Sequence, residues 1–287
     1  MITEQAYAKI NLGLKILGQR PDGYHDILSV MQTVDLYDTL VFTECQNERI
    51  TIRCETSEIP RGEENLIYQA VLAFQGATSL RRGIDVTLTK RIPVGAGLGG
   101  GSADAAATLR GMNRLWNDRF SLDELRKIAA SVGSDVLFLL QPGTAIVEGR
   151  GERLRYVTWR GGNVYLLVYP QLHISTGWAY RVLDGKIALT KVSKYISLVT
   201  SLRSFQGNWE TSLIDSLEND FEEPLGQVYP MISMVKDRLI DAGAVAASLS
   251  GSGSTVYGIF AEERDAEAAR GALDGCGWDL FVCHPVR

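Results

Sequence analysis

Apolar residues alternate with polar ones near the start of the chain. Ile10, Leu12, Leu14 and Ile16 fall on one face of residues 5–17, which predicts a strand with Lys9 and Asn11 on its opposite face. Residues 27–34, 39–43 and 49–54 read as further strands, the first two separated by a break. Between them and the N-terminal strand, Pro21-Asp22-Gly23 marks a turn. The period then changes. Leu66, Ala70, Ala73 and Phe74 are spaced for a helix over 65–74, with Asn65 as its cap. Ile84, Val86 and Leu88 alternate in a strand over 84–90. Ala106, Leu109, Met112 and Leu115 then form the apolar stripe of a helix from about Ser102, itself a candidate N-cap, to Trp116.

Ser121-Leu122-Asp123-Glu124 spells a capping box for a helix that ends near Gly133. Residues 136–140 are a short apolar run, and 144–148 and 164–169 read as strands. Beyond about 176 the pattern turns mainly helical. Residues 183–208 give no clear signal, whereas 229–242 and 261–273 are periodic helices. Ser250-Gly251-Ser252-Gly253-Ser254 is a second glycine-rich turn, leading into a strand over 255–260, and 278–283 predicts a final strand. Strands and helices mix without regular βαβ alternation, so the predicted fold class is α+β. The change of pattern near 150–160 predicts two domains, 1–155 and 156–287.

Composition narrows the function classes. The 287 residues are 45% hydrophobic and 22% charged, with a net charge of −5, which suits a globular protein of one or two domains. Basic residues are scattered rather than gathered in a stripe, so no nucleic-acid partner is expected. No apolar run approaches the ~20 residues of a membrane span, and the N-terminal residues lack a signal-peptide core, so the expected location is cytoplasmic. Cys45, Cys54, Cys276 and Cys283 have no C-x-x-C spacing. His25, His173 and His284 lie far apart, so no metal motif is read.

The stretch with the most chemistry runs from Pro93 to Ala107. Five of the nine residues Pro93–Gly101 are glycine, and an alanine-rich helix follows at once. A helix start leaves backbone N–H groups unpaired, its dipole favours negative charge, and glycines let the backbone wrap an anion closely. The natural guest is a phosphate. A Walker loop is excluded because Gly97–Ser102 lacks its lysine. The string Gly95-Ala96-Gly97-Leu98-Gly99-Gly100 matches G-x-G-x-x-G, but Asp118, at about the right distance for the ribose acid, lies in a polar turn. A protein-kinase loop would need V-A-I-K and H-R-D, and neither occurs.

Three motifs together resemble the kinase superfamily named for galactokinase, homoserine kinase, mevalonate kinase and phosphomevalonate kinase (GHMP kinases). They are Ala8-Lys9-Ile10-Asn11-Leu12, the glycine loop Pro93–Ala103, and Ser250-Gly251-Ser252-Gly253-Ser254-Thr255, in the expected order across nearly the whole chain. Within the superfamily, Arg20-Pro21-Asp22-Gly23-Tyr24-His25-Asp26 resembles the branch that phosphorylates the 2-hydroxyl of a cytidine diphosphate derivative of methylerythritol. Glu64–Ile67, Gly133–Val136 and Asn219–Glu222 support it.

The resemblance implies an N-terminal nucleotide-binding domain and a C-terminal substrate domain, with ATP and Mg²⁺ as cofactors and a small-molecule substrate as partner. Pro93, Gly95, Gly97, Leu98, Gly99, Gly100, Gly101 and Ser102 would hold the ATP phosphates, Ser102 adding a hydroxyl to phosphate or Mg²⁺. Asn65 and Leu66 would belong to the adenine pocket. Asp135 would take the proton from the substrate hydroxyl, with Lys9 stabilising developing charge and Asn11 bonding substrate. His25 would hydrogen-bond the cytosine and Tyr24 stack on it, with Trp178 and Tyr180 as a second aromatic face. On residues alone, Asp135 reads first as a helix-end turn aspartate, Lys9 as a solvated strand-edge lysine and the Tyr24-His25 pair as surface, while Trp178 and Tyr180 read equally as core. One departure stands out: the family usually reads Gly-Ala-Asp-Val-Pro around the base, and here Leu137 takes the proline's place, which is expected to loosen the segment after Asp135. A kinase of another small alcohol, a nucleotide sensor without catalysis, and an NAD-dependent oxidoreductase remain as alternatives at this point.

Overall fold

The computed structural model describes residues 1–56, 59–78, 82–184, 196, 199 and 209–287. The unreadable stretch 183–208 lies almost entirely outside them. Packing divides the chain into two compact units, Met1–Ala8, Leu36–Val94 and Gly99–Pro142 in the first, and Lys9–Asp35, Gly95–Leu98 and Gly143–Arg287 in the second. The pattern along the sequence places one boundary at 155/156. The units instead interleave, because strands β1 (Ile2–Gln19) and β2 (His25–Cys45) each contribute to both.

In the first unit the C-terminal half of β2 pairs antiparallel with β4 (Gly83–Thr89), from Thr39 opposite Thr89 to Cys45 opposite Gly83. β3 (Ile50–Cys54) pairs with β4 in parallel. The alternation of β4 buries Ile84, Val86 and Leu88 on one face. Among the described residues, four helices accompany these strands in the unit: α1 (Leu66–Ala77), α2 (Gly100–Leu115), α3 (Leu122–Val132) and α4 (Ser134–Leu139). Phe74 of α1 is fully buried, 5.5 Å from the ring of Trp116 and 5.1 Å edge-on from Phe120. Asn65 caps α1 by accepting from the Ile67 N–H, and the capping box of α3 forms as the sequence predicts.

Two readings of this region need correction. Ser102 is not the N-cap of α2. Gly99 holds that place in the left-handed conformation, φ 70°, and Ser102 sits in the first turn. The apolar run after Asp135 is the short helix α4, in which the Leu137 backbone N–H donates to the Gly133 carbonyl at 3.2 Å, a bond proline could not make.

In the second unit the N-terminal half of β2 pairs with β5 (Thr144–Gly149), which turns back into β6 (Arg153–Val157). A separate antiparallel sheet has the order β10-β7-β9-β8, built from β7 (Val164–Tyr169), β8 (Ala246–Leu249), β9 (Val256–Phe260) and β10 (Asp279–Cys283). Tyr165 and Tyr257 meet edge to face in its core. Helices α5 (Thr176–Asp184), α6 (Trp209–Ile214), α7 (Glu222–Val228), α8 (Pro230–Asp241) and α9 (Glu263–Leu273) belong to the same unit. Among the described residues no helix is long and apolar enough to cross a membrane.

Candidate functional site

The loop before α2 changes hand repeatedly. Gly95, Gly97 and Gly99 have φ values of 67°, 79° and 70°, so every second residue sits where a side chain is strained. At Gly97 space is also forbidden: a Cβ there would lie 2.4 Å from the Ser250 carbonyl oxygen and 2.7 Å from that of Gly253. The second glycine turn therefore packs backbone to backbone against Gly95–Leu98. The Thr255 N–H donates to the Ala96 carbonyl at 3.1 Å, and Ser250 Oγ donates to the Gly97 carbonyl at 3.0 Å. In the first unit, α2 opens at Gly99 with no side chain capping it. Its first N–H groups have no partner within the helix, and Gly101 is exposed. A sixteen-residue helix with an uncapped, glycine-lined start is built to receive an anion.

Lys9 and Asn11 share a face of β1, as the alternation predicts, but that face is not solvated. Lys9 is 4% exposed and Asn11 1%. A buried ammonium needs acceptors. Lys9 Nζ donates to Asn11 Oδ1 at 2.6 Å and to the Gly97 carbonyl at 3.0 Å. Asn11 is fixed in turn: its amide donates to Ser29 Oγ at 2.9 Å, and Ser29 donates to the Gly13 carbonyl at 2.7 Å. The Tyr257 hydroxyl donates to the Asn11 carbonyl at 2.9 Å. The Gly251 position leaves room for this group, since a Cβ there would come within 3.1 Å of Lys9 Nζ. Asn219 holds the turn by donating to the carbonyls of Leu249 and Gly251. The chain thus brings together Lys9, Asn11, Gly97 and the second glycine turn.

Of the residues expected around the cytosine, His25 and Tyr180 are brought together. His25 is buried and stacks on Tyr180, ring centroids 4.7 Å apart and planes 24° off parallel. Phe221 meets the other partner edge-on, 5.0 Å from the Tyr180 ring. Tyr24 is exposed, with the Arg150 guanidinium 4.9 Å over its ring. Trp178 is not part of this stack; it packs on Tyr229 at 5.5 Å. The turn between β1 and β2 is held by Arg20, which donates to both Asp22 and Asp26.

Asp135 lies half-buried in the first turn of α4, in the first unit. Asn65, Leu66 and Gly99–Ser102 belong to that unit too, and a Cβ on Gly101 would sit 3.6 Å from Leu66 Cδ1. Lys9, Asn11, Tyr24, His25, Trp178 and Tyr180 belong to the second unit.

Several residues that build this region carry no local signal in the sequence. Ser29 and Tyr257 look like ordinary strand residues, yet they fix Asn11. His173 sits where the Gly95 side chain would be, 2.2 Å from an ideal Cβ. Lys90, Asp38 and Asp104 form a buried ionic cluster. Asn219, at least, lies in a stretch the sequence marks as recognisable. Among the described residues, no group of three or more His, Cys, Asp or Glu side chains is arranged to hold a metal ion.

Comparison with known proteins gives consistent results. Residues 65–143 match the GHMP kinases N terminal domain and residues 202–277 the GHMP kinases C terminal domain. The chain is 42% identical over 277 residues, 96% of its length and 95% of the relative's, to 4-diphosphocytidyl-2-C-methyl-D-erythritol kinase of Thermodesulfovibrio yellowstonii. It is 37% identical over 282 residues, 98% of each, to the protein of the same name from Macrococcus caseolyticus. A crystal structure of 4-(cytidine 5'-diphospho)-2C-methyl-D-erythritol kinase superposes with a TM-score of 0.78 at 28% identity, covering 99% of each chain. Homoserine kinase from Cytophaga hutchinsonii shares the fold, with a TM-score of 0.76 at 19% identity over 99% of this chain and 95% of that one.

Proposed function

The chain belongs to the 4-diphosphocytidyl-2-C-methyl-D-erythritol kinase family of the GHMP kinases, and from that premise we propose that it transfers the γ-phosphoryl group of ATP to the 2-hydroxyl of 4-diphosphocytidyl-2-C-methyl-D-erythritol, in non-mevalonate isoprenoid precursor biosynthesis. The observation that carries the reading is the uncapped start of α2 behind alternate left-handed glycines. Unpaired N–H groups at a helix start suit the negative charge of the ATP triphosphate.

Phosphoryl transfer needs positioning and charge stabilisation more than covalent help. The backbone N–H groups of Gly99–Ser102 would hold the phosphates, and Asn65 and Leu66 at the start of α1 would flank the adenine. Asp135 would accept the proton of the attacking hydroxyl. A carboxylate is a weak base, so its contribution rests on where it is held. Lys9 would stabilise negative charge on the transferring group, and its fixed bonds to Asn11 and Gly97 mean little reorganisation at the moment of reaction. His25 would bond the cytosine, with Tyr180 stacked beneath it, and Tyr24 offers a second ring at the surface. Mg²⁺, when bound with ATP, would neutralise phosphate charge, and the Ser102 hydroxyl in the first turn of α2 would help hold it. The expected location is cytoplasmic, and the substrate is a small molecule.

The test is product analysis. Incubation with ATP, Mg²⁺ and the cytidine substrate should yield ADP and a phosphomonoester at the 2-hydroxyl, read by phosphorus and carbon NMR. Release of inorganic phosphate with the alcohol unchanged would contradict the reading.

A further inference from the structure

Beneath the start of α2 lies a cluster that the mechanism above does not use. Lys90 follows β4 and is largely buried. Its ammonium donates to Asp38 Oδ2 at 2.5 Å and to Asp104 Oδ2 at 3.0 Å. Asp38, on β2, is fully buried. Its other oxygen accepts from the backbone N–H groups of Arg91 at 2.6 Å and Ile92 at 2.9 Å. Asp104, in the second turn of α2, is 3% exposed, and its Oδ1 has no hydrogen-bond partner among the described residues. The contacts place the cluster at both ends of one segment. Asp38 pins the backbone that enters the glycine loop, and Asp104 belongs to the helix that leaves it. Lys90 spans the two, and an ideal Cβ on Gly100 would lie 3.2 Å from its Nζ and 3.0 Å from Ile92 Cγ2.

Burial opposes the charge on both partners. Lys90 still keeps its proton more tightly than an ordinary lysine, because Asp104 and Asp38 more than offset the burial. Asp104 is pushed well above the usual carboxylate range, by burial first and by the Asp38 carboxylate beside it, against the pull of Lys90. One positive charge therefore serves two buried aspartates, of which Asp104 favours holding a proton. A single surface pair would not be worth this arrangement.

We propose that Lys90, bridging Asp38 to Asp104, is a positioning residue for the nucleotide: it locks the first turn of α2 so that the N–H groups of Gly99–Gly101 face the phosphates in one geometry. The inference rests on the reading of this helix start as the ATP phosphate site. Lys90 touches no reacting atom in this role and acts through the backbone of α2.

The experiment measures Mg²⁺-ADP affinity by calorimetry, together with KM for ATP and for the alcohol substrate. Lys90→Met leaves the aspartate pair without its cation and is expected to be hard to fold. Lys90→Met/Asp104→Asn removes the bridge while reducing the buried negative charge. It should fold with a thermal midpoint near that of the unaltered protein, yet bind ADP about ten- to a hundredfold more weakly, as expected when a positioned group shifts by a fraction of an ångström to an ångström. KM for ATP should rise with it, while KM for the alcohol stays within about twofold. Asp104→Ala should weaken ADP binding, and Asp104→Asn, whose amide oxygen still accepts from Lys90, should recover most of it. Wild-type affinity in the folded double variant would overturn the inference, as would a parallel rise in both KM values. If the unaltered protein failed to bind ADP, the phosphate-site reading itself would fall and the inference with it.

Discussion

Asp104 and Asp135 both lie near the start of a helix, and their surroundings fit them for different work. Asp135 is half-buried in the first turn of α4, and in the proposed mechanism it accepts the proton of the substrate hydroxyl. Asp135→Asn should lower kcat by about 10²–10⁴ with little change in KM for ATP, checked by steady-state kinetics. Asp104 is sealed beside Lys90 and Asp38, and its carboxyl is held well above the usual range by burial. The folded protein then keeps a proton that the unfolded chain releases. This contribution is fully present below the ordinary carboxyl value and is lost as pH rises through the folded value of Asp104. Asp104→Asn should flatten that decline, visible as a smaller loss of unfolding free energy with rising pH in urea titrations. Parallel curves for the two proteins would contradict it. His25 makes the third residue-scale case. Its ring stacks on Tyr180, and in the proposed mechanism it hydrogen-bonds the cytosine; leaving such a buried polar group unpaired costs about 1–3 kcal/mol. His25→Ala should therefore raise KM for the cytidine substrate about tenfold or more while KM for ATP stays put.

Among the elements, those with explicit chemical punctuation were the most legible. Asn65 and the Ser121–Glu124 box set the starts of α1 and α3 where their side chains say they should. Ser121→Ala should cost about 0.5–2 kcal/mol in chemical denaturation, since it removes a cap that nothing else supplies. Legibility failed where tertiary contacts replaced local signals. β2 is one strand of 21 residues, but Asp35 and Asp38 interrupt its apolar pattern and make it read as two. Asp38 is accommodated by Lys90 and two backbone N–H groups, partners fifty residues away that no local pattern reveals. β6 was missed because its residues are all partly exposed and alternate weakly. The start of α2 was misread by three residues, because a left-handed glycine does there what a serine cap usually does. The glycine loop itself was legible in composition, though the backbone-to-backbone contact that requires Gly97 was not. Gly97→Ala should disrupt the loop and sharply weaken ADP binding, measurable by calorimetry on the folded fraction.

Over the whole molecule, the order of motifs carried more than any one of them. Lys9, the first glycine loop and the second glycine turn lie far apart in sequence, yet Lys9 bonds Gly97, and Ser250 bonds it too. The packing units interleave, since β1 and β2 are long enough to serve both, and Trp178 packs on Tyr229. A pocket of about 410 Å³ beside α9 and β10 is lined by Arg270, Trp278 and Phe281 among others, none of which carries a role in the proposed mechanism.

The central claim is substrate identity, and one assay addresses it directly: ADP release with ATP and Mg²⁺, with 4-diphosphocytidyl-2-C-methyl-D-erythritol, mevalonate and homoserine compared as acceptors. The account predicts turnover with the cytidine substrate and none with the other two. Turnover with mevalonate or homoserine in its place would contradict the base pocket at His25 and the function drawn from it.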